Sequence, residues 1–206
     1  MMNFNTVTAA LDWMGIVAFA ISGAIVASRK QMDIVGFVVL GTVTGIGGGT
    51  LRDLLLGQSP VFWVREPAYL VVCTVISAAM FFVPRIPESR YRLVLWIDAI
   101  GLALFAVTGA ERALVLGSHP VVAIVMGVIT ASFGGIIRDV FANQSPVVLS
   151  YEIYVMAALA AAGVFVSLSL AGAPRDLAMA CGLAVGAGLR ALAMRFGWSL
   201  PRYTKN

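Results

Sequence analysis

The chain has 206 residues, 60% of them apolar and 12% charged, where a typical soluble domain has about 45–50% and about 25%. That leaves too little polar surface for a soluble globule, and 21 Gly beside 8 Pro fit neither collagen nor a disordered chain. The charges are few, 14 Lys+Arg, 10 Asp+Glu and one His, so each of them either orients the chain in a membrane or marks its function.

About 20 predominantly apolar residues cross a bilayer core as a helix, and seven stretches of the chain read that way. The first, Leu11–Ser28, contains Asp12 near its start. Residues 1–11 hold no Lys or Arg, which argues against a cleaved signal peptide. The second, Ile34–Leu56, carries a glycine cluster followed by Arg52-Asp53. Pro67–Pro84 is apolar throughout, with Cys73 inside it. Leu93–Ala110 contains Asp98 and runs up to Glu111. His119, before Pro120, reads as a solvated turn residue, and Val121–Ala142 repeats the glycine–Arg–Asp pattern. Ile153–Leu170 is plain, whereas Leu177–Trp198 contains Cys181, Arg190 and Arg195. Arg195 can snorkel to the interface, but Arg190 sits deeper. Both cysteines lack metal-ligand spacing and read as packing residues. No stretch alternates as the strands of a membrane barrel would. The expected fold is an all-α membrane protein of seven transmembrane helices.

Basic residues in short loops mark the cytoplasmic side. Setting aside Arg52, Arg138 and Arg190, one side holds Arg29, Lys30, Arg85, Arg90, Arg92, Arg195, Arg202 and Lys205. The other holds Arg65, Arg112 and Arg175. This places the N-terminus outside and the C-terminus in the cytoplasm. The net charge of +4 is then topological and implies no nucleic-acid partner.

Shifted by 86 residues (98 − 12), residues 12–66 align on 98–152 without a gap. Asp12 falls on Asp98, Gly15 on Gly101, and Phe19-Ala20 on Phe105-Ala106. Gly48-Gly49-Thr50-Leu51-Arg52-Asp53 falls on Gly134-Gly135-Ile136-Ile137-Arg138-Asp139, Gln58-Ser59-Pro60-Val61 on Gln144-Ser145-Pro146-Val147, and Glu66 on Glu152. Each copy holds three spans, an odd number, so the second copy enters the membrane from the opposite side, an inverted repeat. One transmembrane domain over 1–206 thus contains repeat one (about 11–84), repeat two (about 93–170) and a seventh helix (about 177–198) outside the symmetry.

Mid-helix glycines cost about 1 kcal/mol each relative to Ala and permit a bend or an unwound turn. A kink or break is therefore expected at Gly47, Gly48 and Gly49 and at Gly134 and Gly135. Close helix packing is the plainer use of such residues. Arg52 and Arg138 are costly at this depth and should face a bundle interior or a wet path. Adjacent residues do not face each other on a helix, so Arg52–Asp53 and Arg138–Asp139 read as poor pairs. Asp98, Glu111 or the opposite copy's Asp are the alternative partners. A purely structural clamp is also open, as are a simple helix stop for Gln-Ser-Pro and N-cap roles for Asp12 and Asp98. Paired-His, Gly-x-Ser-x-Gly and phosphate-loop motifs are missing. No enzyme activity, cofactor or tightly bound metal is expected.

The paired Gly-Gly-x-x-Arg-Asp motifs, the three-plus-three-plus-one layout and the length resemble prokaryotic members of the trimeric intracellular cation (TRIC) channel family. The resemblance runs from Asp12 to about Trp198. It implies a bacterial or archaeal inner-membrane homotrimer in contact with membrane lipids, with a potassium-permeable pore in every protomer and potassium bound only in transit. By position, the pore kinks fall at Gly47–Gly49 and Gly134–Gly135 and the charged gates at Arg52/Asp53 and Arg138/Asp139. Phe133 stands where a third glycine of the second kink would be. Ser22, Thr44, Thr108, Thr130, Asp98 and Glu111 are the candidate pore-lining residues. An Arg beside a half-helix N-terminus favours anions or carboxylates instead. This keeps a small amino-acid transporter, with glycine as substrate, as the alternative.

Overall fold

In a computed structural model, which describes residues 6–83, 91–149 and 153–200, the chain is all-helical. The helices are α1 (Thr6–Arg29), α2 (Ile34–Leu55), α3 (Phe62–Arg65), α4 (Ala68–Phe81), α5 (Tyr91–Val115), α6 (Pro120–Phe141), α7 (Val155–Leu170) and α8 (Arg175–Phe196). A 3-10 turn, Val147–Leu149, precedes α7. Pro84, Arg85, Arg90, Glu152, Arg202 and Lys205 lie outside the described residues. Five helices, α1, α2, α5, α6 and α8, are long and apolar enough to cross a membrane. The third and sixth expected spans are shorter: α4 has 14 residues and α7 has 16. At 1.5 Å per residue they rise about 21 and 24 Å, less than a core of about 30 Å.

Local chemistry sets the helix starts. Asp33 caps α2 by accepting from the Gly36 amide at 2.8 Å. His119 caps α6 rather than standing free in a turn: its Nδ1 accepts from the Val121 amide at 3.3 Å, and Pro120 fills the first helical position. Asp12 and Asp98 are not caps, because α1 starts at Thr6 and α5 at Tyr91, more than a turn earlier. Gly197, left-handed at φ 65°, ends α8.

Two backbone-close crossings form the centre. In the first, α1 meets α5 through stacked Phe19 and Phe105 rings, 5.2 Å apart and both buried. Each ring fills the notch left by a glycine of the other helix: a Cβ on Gly15 would stand 2.7 Å from Phe105, and one on Gly101 3.2 Å from Phe19. In the second, α2 meets α6. A Cβ on Gly48 would strike the Thr130 carbonyl oxygen, and one on Gly134 the Thr44 carbonyl oxygen. The interlocking residues in each crossing are 86 positions apart (101 − 15, 134 − 48). In lipid such contact, more than apolar burial, holds helices together. Helix α8 packs on α5 and α7, with Gly182 against the Ala161 carbonyl and Gly186 against Ala103 and Ala161.

Both glycine-bearing helices are uninterrupted. Residues Gly45–Gly49 of α2 and Gly134–Gly135 of α6 stay α-helical, so the expected break is not there. The missing side chains are used for close approach between α2 and α6, a contact that an unwound turn would lose.

Candidate functional site

Arg52 and Asp53 occupy the last turn of α2 and are both buried. Contrary to the expectation for neighbours on a helix, they pair directly. Arg52 Nε and Nη2 donate to Asp53 Oδ1 at 2.9 and 2.7 Å. The long guanidinium stem turns sideways along the helix end, a reach that backbone spacing alone does not reveal. Asp53 Oδ2 accepts from the Phe62 amide at 2.8 Å. The chain after Gln58-Ser59-Pro60 is thus tied back under the helix, which makes the motif more than a stop. Phe62 then lies 5.8 Å from the guanidinium carbon, and Trp63 donates to Thr50 Oγ1 at 2.9 Å.

The second copy repeats this core. Arg138 Nε donates to Asp139 Oδ1 at 2.9 Å, and Asp139 Oδ2 accepts from the Val147 amide at 3.0 Å. Arg138 also leaves its helix: Nη1 donates to Asp98 Oδ1 on α5 at 2.5 Å and to Ser22 Oγ on α1 at 2.6 Å. Asp98 is therefore the partner of Arg138 among the alternatives. Glu111 is not a partner of either motif arginine; it pairs with Arg175, which also donates to Thr8 Oγ1 at 3.1 Å. Neither motif arginine bonds the opposite copy's Asp.

Asp12, the counterpart of Asp98, lines a small void of about 10 Å³ together with Arg52 and Phe105. Its carboxylate instead binds Arg112 at 3.0 Å. Arg112 reads as a loop charge in the sequence but lies within α5. Thr44 and Thr130 donate back to the Leu40 and Met126 carbonyls at 2.5 and 2.6 Å, which leaves their oxygens as acceptors. Ser22 and Thr108 are buried, and only Ser22 touches a motif arginine. Among the described residues no group of three His, Cys, Asp or Glu could hold a metal ion.

Two cavities open at these clusters. One, of about 180 Å³, is lined by Asp53, Phe62, Arg65, Glu66, Tyr69 and Arg112. The other, of about 30 Å³, is lined by Asp98, Arg138, Asp139, Gln144 and Ser145 among others. Because α2 and α6 are unbroken, Arg52 and Arg138 stand in last helical turns, where the carbonyl ends favour cationic side chains. The half-helix N-termini that would have favoured anions are not formed. Arg112, Tyr69, Tyr154 and Phe62 belong to these clusters, yet their sequence context carries no signal beyond ordinary span-edge aromatic and basic residues.

A family model described as "Glycine transporter" matches residues 9–85 and 95–169. A UPF0126 membrane protein of Vibrio cholerae is 42% identical over 94% of this chain and 81% of its own length. The UPF0126 inner membrane protein YadS of Escherichia coli K12 is 40% identical, covering 94% of each chain. Among solved structures, the TRIC trimeric intracellular cation channel orthologue from Rhodobacter sphaeroides superposes with a TM-score of 0.91 at 57% identity, over 94% of this chain and all of that one. A prokaryotic TRIC channel crystallised in 0.5 M KCl gives 0.87 at 32% identity, over 94% and 98% of the two chains.

Proposed function

The chain belongs to the prokaryotic TRIC family and is a multi-pass membrane protein, and from this premise we propose that it is a cation channel. Potassium is the permeant ion, and a homotrimer carries one pore per protomer. The observation that carries the reading is the neutralisation of both motif arginines. Each is bound by an aspartate and set at a helix C-terminal turn, so neither end presents the uncompensated positive charge that would exclude cations.

In this reading α1, α2 and α4 form one repeat and α5, α6 and α7 its inverted copy, with α8 outside. The two family-model matches begin 86 residues apart (95 − 9), the same shift as the internal alignment. Arg52/Asp53 and Arg138/Asp139 act as gates at opposite membrane faces. Gly47–Gly49 and Gly134–Gly135 are the points where α2 and α6 bend on opening. Ser22, Thr44, Thr108 and Thr130 offer oxygens to the passing ion. The protein sits in the inner membrane among lipids, N-terminus outside and C-terminus in the cytoplasm.

The test is a planar-bilayer recording in a KCl gradient. A reversal potential near the potassium value is expected, and one near the chloride value overturns the reading. Saturable uptake of labelled glycine into vesicles, without unitary currents, would support the transporter instead.

A further inference from the structure

Helix α8 lies outside the duplicated segments, yet it carries Arg190, one of the largest fully buried side chains in the protein. An arginine at that depth is costly and calls for a role. Its guanidinium carbon stands 5.3 Å from the centre of the Tyr154 ring, within range of a cation–π contact. Tyr154 leads directly to the second motif cluster. A Cβ on Gly135 would stand 3.3 Å from Tyr154 Oη, 3.7 Å from Arg138 Nη2 and 3.9 Å from Asp98 Oδ1, so these groups converge on one point. Arg190, Tyr154, Asp98, Arg138 and Asp139 thus form one buried assembly.

Counting charge at each end gives the assembly a meaning. At the Arg52 end, Asp12 and Asp53 face Arg52 and Arg112, while Glu111 is matched by Arg175. At the Arg138 end, Asp98 and Asp139 face Arg138, and among the described residues of this assembly Arg190 supplies the second positive charge. Neither balancing arginine comes from the duplication: residue 26, the counterpart of Arg112 (112 − 86), is Val, and Arg190 lies beyond the repeats.

Resting on the channel reading above, we propose that Arg190 is a positioning and charge-setting residue of the permeation path. Seated on Tyr154, it cancels the excess negative charge of the Asp98–Arg138–Asp139 cluster and so sets how strongly that mouth concentrates cations. Through it, the helix outside the repeats tunes conduction.

The experiment compares single-channel potassium currents of the full-length wild type and Arg190→Gln in about 10 mM and about 1 M KCl, where the screening length falls from about 30 to about 3 Å. Arg190→Gln leaves one uncompensated negative charge at the mouth. The expected result is a conductance at least about twofold above wild type in the dilute salt and near wild type in the concentrated salt. A variant-to-wild-type ratio equal at both salts overturns the proposal, since lost packing does not depend on ionic strength. Arg190→His keeps a switchable charge should the glutamine variant not assemble. Its conductance in dilute salt should rise between pH 5 and pH 8 more than that of wild type, and an identical pH profile overturns the proposal. If the wild type itself passes no potassium current, the channel reading fails; a wild-type current with a salt-independent ratio removes only the role of Arg190.

Discussion

At the Arg52 end the guanidinium has one carboxylate, Asp53, whereas at the Arg138 end it has two, Asp139 and Asp98, and the Ser22 hydroxyl as well. The local unit is otherwise the same: Arg bonds the next residue's carboxylate, whose other oxygen accepts an amide eight or nine residues on. What separates the ends is a residue that the duplication did not copy. Arg112 pairs with Asp12, which leaves Arg52 to Asp53, while Asp98 stays on Arg138. The second cluster therefore links α1, α5 and α6 in one buried network, while the first stays within α2 and α3. The Arg52 end needs fewer bonds broken to rearrange, and the Arg138 end behaves as a lock.

The largest expected effect tests that lock. Asp98→Asn strips a fully buried partner from Arg138 and should destabilise the protein by about 3–5 kcal/mol. Asp12→Asn releases Arg112, whose side chain is 20% exposed, and should cost about 1–2 kcal/mol. Thermal unfolding in detergent would show the gap, and equal losses would break the comparison. Next come the shared crossings. Gly48→Ala and Gly134→Ala each press a methyl group on a backbone carbonyl, and both should cost about 1–3 kcal/mol. A strong difference between them would mean that the α2–α6 crossing is less symmetric than its contacts. Ser22→Ala should lose about 1–1.5 kcal/mol with its bond to Arg138. Thr108→Val, at its buried counterpart, keeps the volume and should change stability by under about 0.5 kcal/mol, because no motif arginine reaches the Thr108 hydroxyl. An effect of the opposite sign belongs to Gly163→Ala on α7, where a Cβ meets open space. It should gain up to about 1 kcal/mol from helix propensity.

The seven apolar stretches were legible because a helix in lipid must be long and uniformly apolar, and composition records both properties. Five of them form helices of 22 to 25 residues. Spans three and six form shorter helices: α4 starts one residue after Pro67 but ends at Phe81, and α7 starts at Val155, after the 3-10 turn bonded to Asp139. The motif residues were found from their repetition alone. Of their surroundings, Asp98 was among the candidate partners and does bind Arg138, whereas Tyr154, Tyr69 and Arg112 were not foreseen, since they are single residues without periodic context. At the glycines the sequence left a kink or break and close packing both open, because glycine tolerates either; the helices are unbroken and packed closely, which only the neighbouring helix decides.

By itself the sequence determined that this is a helical membrane protein, that one segment occurs twice, and that Arg52/Asp53 and Arg138/Asp139 are its rare interior charges. Those follow from the cost of polar groups in hydrocarbon and from identity at a fixed shift, and both are local properties of the chain. Tertiary structure decided that each Arg folds onto its neighbour, that Asp12 and Asp98 take different partners, and that α8 supplies Arg190 to one end. A buried charge is stabilised by whichever opposite charge packing brings within about 3 Å. That choice depends on helix crossings made by residues far apart in the chain, so no reading of spacing along it could have named the pairs.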